Sequence, residues 1–296
     1  MLLITGGTGQ NGRTTIGEFV REKRRVRVLV RNLAKASSIG LDRVAEVELV
    51  QGDMGKPDTL AAALDGVERV LMISSPTSEM LDTQCRFIDA CERNGVRHVI
   101  KFSGAESGIG FDPAKFRFAQ MHEDIEDYLE GSGLAWTHIR PSQFMQVYLR
   151  EAPDIAAKGL LRLPFGSISL SPVDVRDIAK VAYRLLRDGG HESERLDMTG
   201  PEALTMNDIA ARISAAVGRP VHYEAISAED RRKGLLASGM PPDFADALDE
   251  QLTERLKRPQ SRVYLGTHET FGIQPTTFAE FAERNADAFR GDVRPQ

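Results

Sequence analysis

The sequence predicts an α/β protein: a doubly wound parallel sheet with a smaller, mainly helical C-terminal lobe. Three observations predict it. Short β-branched runs alternate with helix-length stretches through the first half of the chain. A glycine-rich turn separates the first run from the first helical stretch. The length, 296 residues, suits one large α/β domain or one domain with a lobe attached.

The strand-length runs are Leu2–Thr5, Val26–Val30, Val47–Val50, Val70–Ile73, Val96–Phe102 and Leu134–Ile139, each closed by Gly, Ser, Pro, Asp or Asn within a few residues. Between them Asn11–Arg24, Pro57–Leu64, Ser78–Asn94 and Pro113–Gly131 read as helices. Strand, helix, strand at this spacing means βαβ units with right-handed crossovers. The second half is less regular. Asp174–Arg187 reads as a helix and Glu194–Met198 as a further strand. Thr205 starts a helix running to Val217, with Asp208 placed as its capping-box partner. Ser227–Leu236, Pro242–Leu256 and Thr276–Ala288 follow as helices, with breaks at Gly218-Arg219-Pro220 and Gly239-Met240-Pro241-Pro242. We expect residues 1–150 to form a nucleotide-binding domain, with segments near 170–200 returning to it. Residues 151–296 are expected to form a mixed, mainly helical lobe on the substrate side.

The strongest chemical signal is Thr5-Gly6-Gly7-Thr8-Gly9-Gln10-Asn11-Gly12-Arg13. Gly6 permits a sharp turn, Gly9 close approach of backbone to a pyrophosphate, and Gly12 close helix–sheet packing. The helix amino end then offers free N–H groups and partial positive charge to the phosphates. In this strand–turn–helix setting the pattern is that of a Rossmann-type NAD(P)-binding domain. Gly6, Thr8, Gly9, Gln10, Asn11, Gly12 and Arg13 are the candidate phosphate cradle. After the second strand an NAD site would place an acidic residue for the ribose hydroxyls; Arg31 stands there instead. With Arg13 it can reach a 2′-phosphate, so NADP(H) is expected over NAD(H). Asp53 and Met54, after the third strand, are candidates for the adenine. Ligands of open sheets bind at the carboxyl edge of the strands, which adds Ser74, Ser75, Phe102 and Ser103. Phe144, with Met145, is a candidate floor for the nicotinamide or the acceptor pocket.

These segments resemble the short-chain dehydrogenase/reductases. Val99-Ile100-Lys101-Phe102-Ser103, His122-Glu123-Asp124-Ile125-Glu126, the run Gly131–Pro141, Val173-Asp174-Val175-Arg176-Asp177-Ile178-Ala179 and Thr199-Gly200-Pro201-Glu202-Ala203-Leu204-Thr205 resemble the NmrA-like, atypical members. The resemblance spans nearly the whole chain. It implies the fold, NADP(H), and an activity among quinone, azo-dye, triphenylmethane-dye and imine reduction, or redox sensing without turnover. One departure matters. Typical superfamily enzymes carry Tyr-x-x-x-Lys after the fifth strand, where the Tyr protonates a carbonyl oxygen and the Lys holds the ribose. The matching stretch here is Phe118-Ala119-Gln120-Met121-His122. Phenylalanine has no proton to give, so the carbonyl-reductase mechanism does not carry over. His122, at the lysine position, is a candidate to hold the cofactor's ribose or to donate a proton, and His122 and Ser103 become the candidate catalytic residues.

The leading expectation is therefore an NADPH-dependent reductase of a small aromatic or conjugated acceptor. The alternatives are a non-catalytic NADP(H)-binding redox sensor and a tailoring reductase in secondary metabolism. Other classes are weaker. A formal net charge of −5, from 38 Lys and Arg against 43 Asp and Glu, argues against a nucleic-acid partner. The cluster Arg21-Glu22-Lys23-Arg24-Arg25 reads as the solvated, cationic end of a helix. No apolar run approaches the ~20 residues that span a bilayer, and the start resembles a strand, not a secretion signal. Cys85 and Cys91, six apart on a helix, point in different directions, and no Cys/His cluster has zinc spacing. A cytoplasmic monomer or homodimer with a small-molecule partner, no membrane and no resident metal is the expectation. Glu123, Asp124, Glu126 and Asp127 are expected to form a solvated helix face.

Overall fold

The computed structural model describes residues 1–104 and 111–293. Seven strands form the central sheet: β1 (Leu2–Ile4), β2 (Val26–Val30), β3 (Val47–Gln51), β4 (Arg69–Met72), β5 (His98–Phe102), β6 (Ala135–Pro141) and β9 (Glu194–Met198), ordered β3-β2-β1-β4-β5-β6-β9. The five pairs that link β3 through β6 are all parallel. The order reverses direction at β1, the topology of a doubly wound sheet, with its ligand crevice expected where β1 and β4 diverge. The strands at the centre are buried because helices cover both faces, which is why they read as near-continuous apolar runs.

The chain divides into two compact units. The first comprises residues 1–104, 121–140 and 175–196, the second 105–120, 141–174 and 197–296. In the first, α1 (Gln10–Arg21), α2 (Leu33–Ser38), α3 (Ala61–Leu64), α4 (Met80–Arg93), most of α5 (Arg117–Glu130) and α7 (Val175–Asp188) surround the strands. One face of α7 is strongly apolar and buries Val175, Ile178, Val181, Ala182, Leu185 and Leu186. The stretch expected as one helix over 57–64 begins as a 3-10 turn at Pro57–Thr59 before α3.

The second unit holds α6 (Ala152–Lys158), α8 (Met206–Val217), α9 (Ala228–Ala237), α10 (Pro242–Leu256), α11 (Gly266–Thr270), α12 (Phe278–Arg284) and α13 (Ala286–Arg290). It also contains two small sheets that periodicity did not reveal: β7 (Leu160–Leu163) with β11 (His222–Ala225), and β8 (Ser169–Leu170) with β10 (Leu204–Thr205). These strands run only two to four residues, too short for alternation to register. The capping box at α8 is present: Thr205 Oγ1 accepts from the Asp208 N–H at 3.2 Å, and Asp208 Oδ2 accepts from the Thr205 N–H at 2.9 Å. Tyr148, Phe278, Phe281 and Phe289 anchor this unit's core, with Met145 among them. Among the described residues no helix is long and apolar enough to cross a membrane.

Candidate nucleotide site and its polar surroundings

At the carboxyl end of β1 the chain turns through Gly6, whose φ of +65° is a left-handed conformation that side chains resist. The Gly9 N–H donates to the Gly6 carbonyl at 2.9 Å, and the Arg13 N–H to the Gly9 carbonyl at 2.9 Å, so the turn passes directly into α1. Gly12 faces the turn. A Cβ on it would lie 2.4 Å from the Gly6 carbonyl oxygen and 2.8 Å from Gly7 Cα. Gly9, at the N-cap, supplies no side-chain cap, and the first turn carries no acidic residue. The amide groups that open α1 are left for an anion. Thr5 fixes the neighbouring strand ends: its Oγ1 donates to the Ile73 carbonyl and accepts from the Ile73 N–H, both at 2.7 Å.

Beside this loop lies a crevice of about 670 Å³. Of the residues expected to bind the cofactor, Gly6, Thr8, Gly9, Gln10, Asn11, Gly12, Arg31, Asp53, Met54, Ser74 and Ser75 line it together. Lys35 and Lys56, which sequence reasoning did not single out, line it too and add two cations to Arg31. Arg13 is exposed on α1 and is not part of this lining. Asp53 also works for the turn, its Oδ1 accepting the Gly55 N–H at 3.0 Å. Gln84 Nε2 donates to Ser74 Oγ at 2.8 Å, which orients that hydroxyl. Among the described residues the buried Asn11 Oδ1 has no hydrogen-bond partner. A tight bare-backbone loop, open amides, an orphaned amide oxygen and a cationic rim fit a phosphorylated dinucleotide.

Phe102, Ser103 and His122 lie at and behind the end of β5, outside the crevice lining. Ser103 is buried, and its Oγ donates to Glu126 on α5. Glu126 corrects the sequence reading: it is only 1% exposed, not part of a solvated face. The Arg140 guanidinium grips it, Nε standing 3.2 and 3.0 Å from the two carboxylate oxygens. Burial pushes the Glu126 carboxyl up, but the bond from Arg140, the nearby His138 and the Ser103 hydroxyl outweigh it, so its pKa falls below the ordinary carboxylate value. Asp127 is exposed, as expected. One turn further on, Glu130 Oε1 lies 3.1 Å from His138 Nε2 and accepts from Arg195 Nε at 3.0 Å. His138 stacks on Trp136 with ring centres 4.5 Å apart. Burial lowers its pKa to about 4, keeping it neutral. Glu126, Glu130 and His138 are close enough to share a cation, but Arg140 and Arg195 already neutralise the carboxylates.

Lys101, the fourth residue of β5, was also missed. It is fully buried, and its Nζ lies 2.8 Å from His122 Nδ1. Burial drives its pKa down to about 7, with Glu126 opposing and Arg140 adding to the shift. Burial and the Lys101 cation together hold His122 well below an ordinary histidine. In the second unit, Phe118 sits in an aromatic run, 6.1 Å from Phe116 and 5.8 Å from Phe244, with Phe111 5.7 Å beyond Phe116. Phe144 belongs to the same unit and makes an isolated parallel bridge with Val173. Tyr148 packs edge-on to Phe278 in the core.

Residues 1–283 match the NmrA-like family. The chain belongs to that family. Its fold is also that of a solved structure, the NADPH-dependent quinone oxidoreductase QOR2 of Escherichia coli complexed with NADPH. That structure has a TM-score of 0.82 and 27% identity, with 96% of this chain and 99% of that one covered. Among curated relatives, the NAD(P)H azoreductase of Xenophilus azovorans is 34% identical over 98% of this chain and 99% of its own length. A (4-alkanoyl-5-oxo-2,5-dihydrofuran-3-yl)methyl phosphate reductase of Streptomyces griseus is 31% identical over the same shares of the two chains.

Proposed function

We propose that this NmrA-like protein is an NADPH-dependent reductase of small conjugated acceptors, with quinones and azo compounds first and triphenylmethane dyes and iminium compounds behind them. The observation that carries the reading is the pairing of a built dinucleotide crevice with the loss of the phenolic proton donor at Phe118. Reducing a carbonyl to an alcohol needs a positioned proton donor beside the carbonyl oxygen. A quinone, azo bond or enone spreads the incoming negative charge over its conjugated system and needs less help. The names of the azoreductase and quinone-oxidoreductase relatives point to the same acceptor chemistry.

When bound, the cofactor supplies a hydride; the protein supplies position and electrostatics. The open amides of α1 receive the diphosphate, and Arg31, with Lys35 and Lys56 beside it, selects the 2′-phosphate. Asp53 and Met54 flank the adenine. Ser103 is a poor proton donor because Glu126 already takes its hydroxyl proton. Burial and the Lys101 cation keep His122 neutral, so its ring gives a hydrogen bond to the acceptor, and it passes on a proton only by taking one at Nδ1 from Lys101. We take the second unit as the substrate-side lobe, with the half-buried Phe111 and Phe244 rings flanking the buried Phe116 and Phe118 in one aromatic cluster. The same reading places the protein, with free Cys85 and Cys91, in a reducing cytoplasm as a monomer or homodimer.

The test is NADPH consumption against a panel of quinones, azo dyes, triphenylmethane dyes and iminium compounds, read by the loss of reduced-nicotinamide absorbance. Acceptor-dependent oxidation is expected. Tight NADPH binding with no oxidation by any acceptor would replace the reductase with a redox sensor.

A further inference from the structure

Lys101 is hard to explain as a stabilising residue. Its ammonium is fully buried, and among the described residues no carboxylate lies within 4.0 Å of it. Its one hydrogen-bond partner there is the imidazole of His122. Burying a cation against a single neutral ring costs more than an apolar side chain of the same length would. In register, Lys101 lies between Met72 of β4 and His138 of β6. The charged and titratable groups around it are Cys85 of α4, Glu126 and His122 of α5, and Arg140 and His138 of β6. Only Glu126 and Cys85 favour the ammonium.

The bond itself fixes a proton. An ammonium donates and cannot accept, so Nδ1 of His122 must be the acceptor. A neutral imidazole carries one N–H, which then sits on Nε2. That edge of the ring points at the chain just beyond β5: a Cβ on Gly104 would lie 2.7 Å from Nε2. Gly104 thus makes room for the ring at the carboxyl end of the strand, the edge at which open sheets bind their ligands. Among the described residues no group is bonded to Nε2. The side chain runs from a buried cation at Nδ1 to an uncommitted N–H at Nε2.

We propose that Lys101 is a positioning residue that locks His122 in its Nε2–H form and presents a cation-backed N–H donor at the end of β5 for an oxygen or nitrogen of the bound reactants. The role assigned to that donor rests on the reductase reading; the lock itself does not.

The wild-type chain without cofactor, labelled with ¹⁵N in its histidines, tests the lock. His122 is expected to be neutral below neutral pH, with a bare Nδ1 and a protonated Nε2. Its Nδ1 resonance should move as Lys101 loses its proton near pH 7. An imidazolium, or a proton on Nδ1 at pH 6, overturns the proposal without any variant. With an acceptor that the wild type reduces, Lys101→Met should lower kcat by about tenfold or more, the loss expected from one charge-assisted bond. Lys101→Arg, which keeps the charge and the donor, should recover activity and remove the fall in rate above neutral pH. Full turnover in Lys101→Met sinks the proposal and leaves the reductase standing. If no acceptor is reduced, the reductase reading fails and the ¹⁵N spectrum still decides the lock.

Discussion

Replacing Gly12 by alanine should disable the nucleotide crevice while leaving the fold intact. The added Cβ would stand 2.4 Å from the Gly6 carbonyl oxygen, 2.8 Å from its carbon and 2.8 Å from Gly7 Cα. All three are backbone atoms, so no side chain can swing aside. The loop must part from α1. Forcing one methyl group into a filled space costs about 1–3 kcal/mol. If that cost falls on the loop geometry that receives the diphosphate, NADPH affinity drops about 5–150-fold at 1.4 kcal/mol per decade. The control lies on the same helix: a Cβ on Gly17 would meet nothing within 4 Å, so Gly17→Ala should bind NADPH normally. It should also stabilise the chain by up to ~1 kcal/mol through helix propensity. Isothermal titration with NADPH on both variants, with circular dichroism to establish folding, makes the comparison. Equal dissociation constants for Gly12→Ala and the wild type would refute the phosphate-loop argument.

Arg31→Asp should shift the cofactor preference toward NADH by about tenfold or more, since a charge-assisted bond of about 1.5–3 kcal/mol is replaced by repulsion; an unchanged NADPH-to-NADH ratio of kcat/KM refutes the 2′-phosphate role. Glu126→Ala leaves the Arg140 guanidinium and the Ser103 hydroxyl without their shared carboxylate, and breaking a buried pair costs about 3–5 kcal/mol. At about 2–4 °C per kcal/mol the melting temperature should fall by about 6–20 °C. The sign with pH follows from the depressed Glu126 pKa: its stabilisation is complete above the unfolded carboxyl value of about 4.3 and fades as pH drops through the folded value. The melting temperatures of Glu126→Gln and wild type should therefore converge in acid; a constant gap down to low pH contradicts this. Thr205→Ala removes the cap of α8 and should cost about 0.5–2 kcal/mol in urea unfolding; an unchanged midpoint would show the cap is idle.

The parallel sheet and the phosphate loop were legible because each is written in local sequence. Parallel strands buried on both faces leave apolar runs, and a turn that tolerates no Cβ leaves glycines. Arg31 was legible because its place follows from the second strand's end. Lys35 and Lys56 were not, since their approach to the crevice depends on how two loops fold back. Lys101 and Glu126 were hidden for another reason: a lysine at a strand end and a glutamate in an acidic helix both look solvated until tertiary packing covers them. A usable signal existed in each case. Lys101 interrupts a strand that a parallel sheet would keep apolar. Glu126 falls four residues after His122, which itself falls four after Phe118, so all three lie on the inward stripe of α5.

That stripe explains why the polar residues were kept. At successive four-residue steps along α5, His122 meets Lys101 of β5, Glu126 meets Ser103 and Arg140, and Glu130 meets His138 of β6 and Arg195 of β9. Each contact is charged or charge-assisted, and each is bound to one register. Sliding the helix by a single residue would carry all three acceptors off the inward face at once and take these partners from the buried Lys101 and His138. Apolar packing tolerates such a slip far better. The network therefore costs stability in its desolvation and returns a fixed height and rotation for α5, and with it a fixed place for the His122 ring. A donor that must meet a small flat acceptor within hydrogen-bond distance needs that accuracy more than it needs another buried leucine.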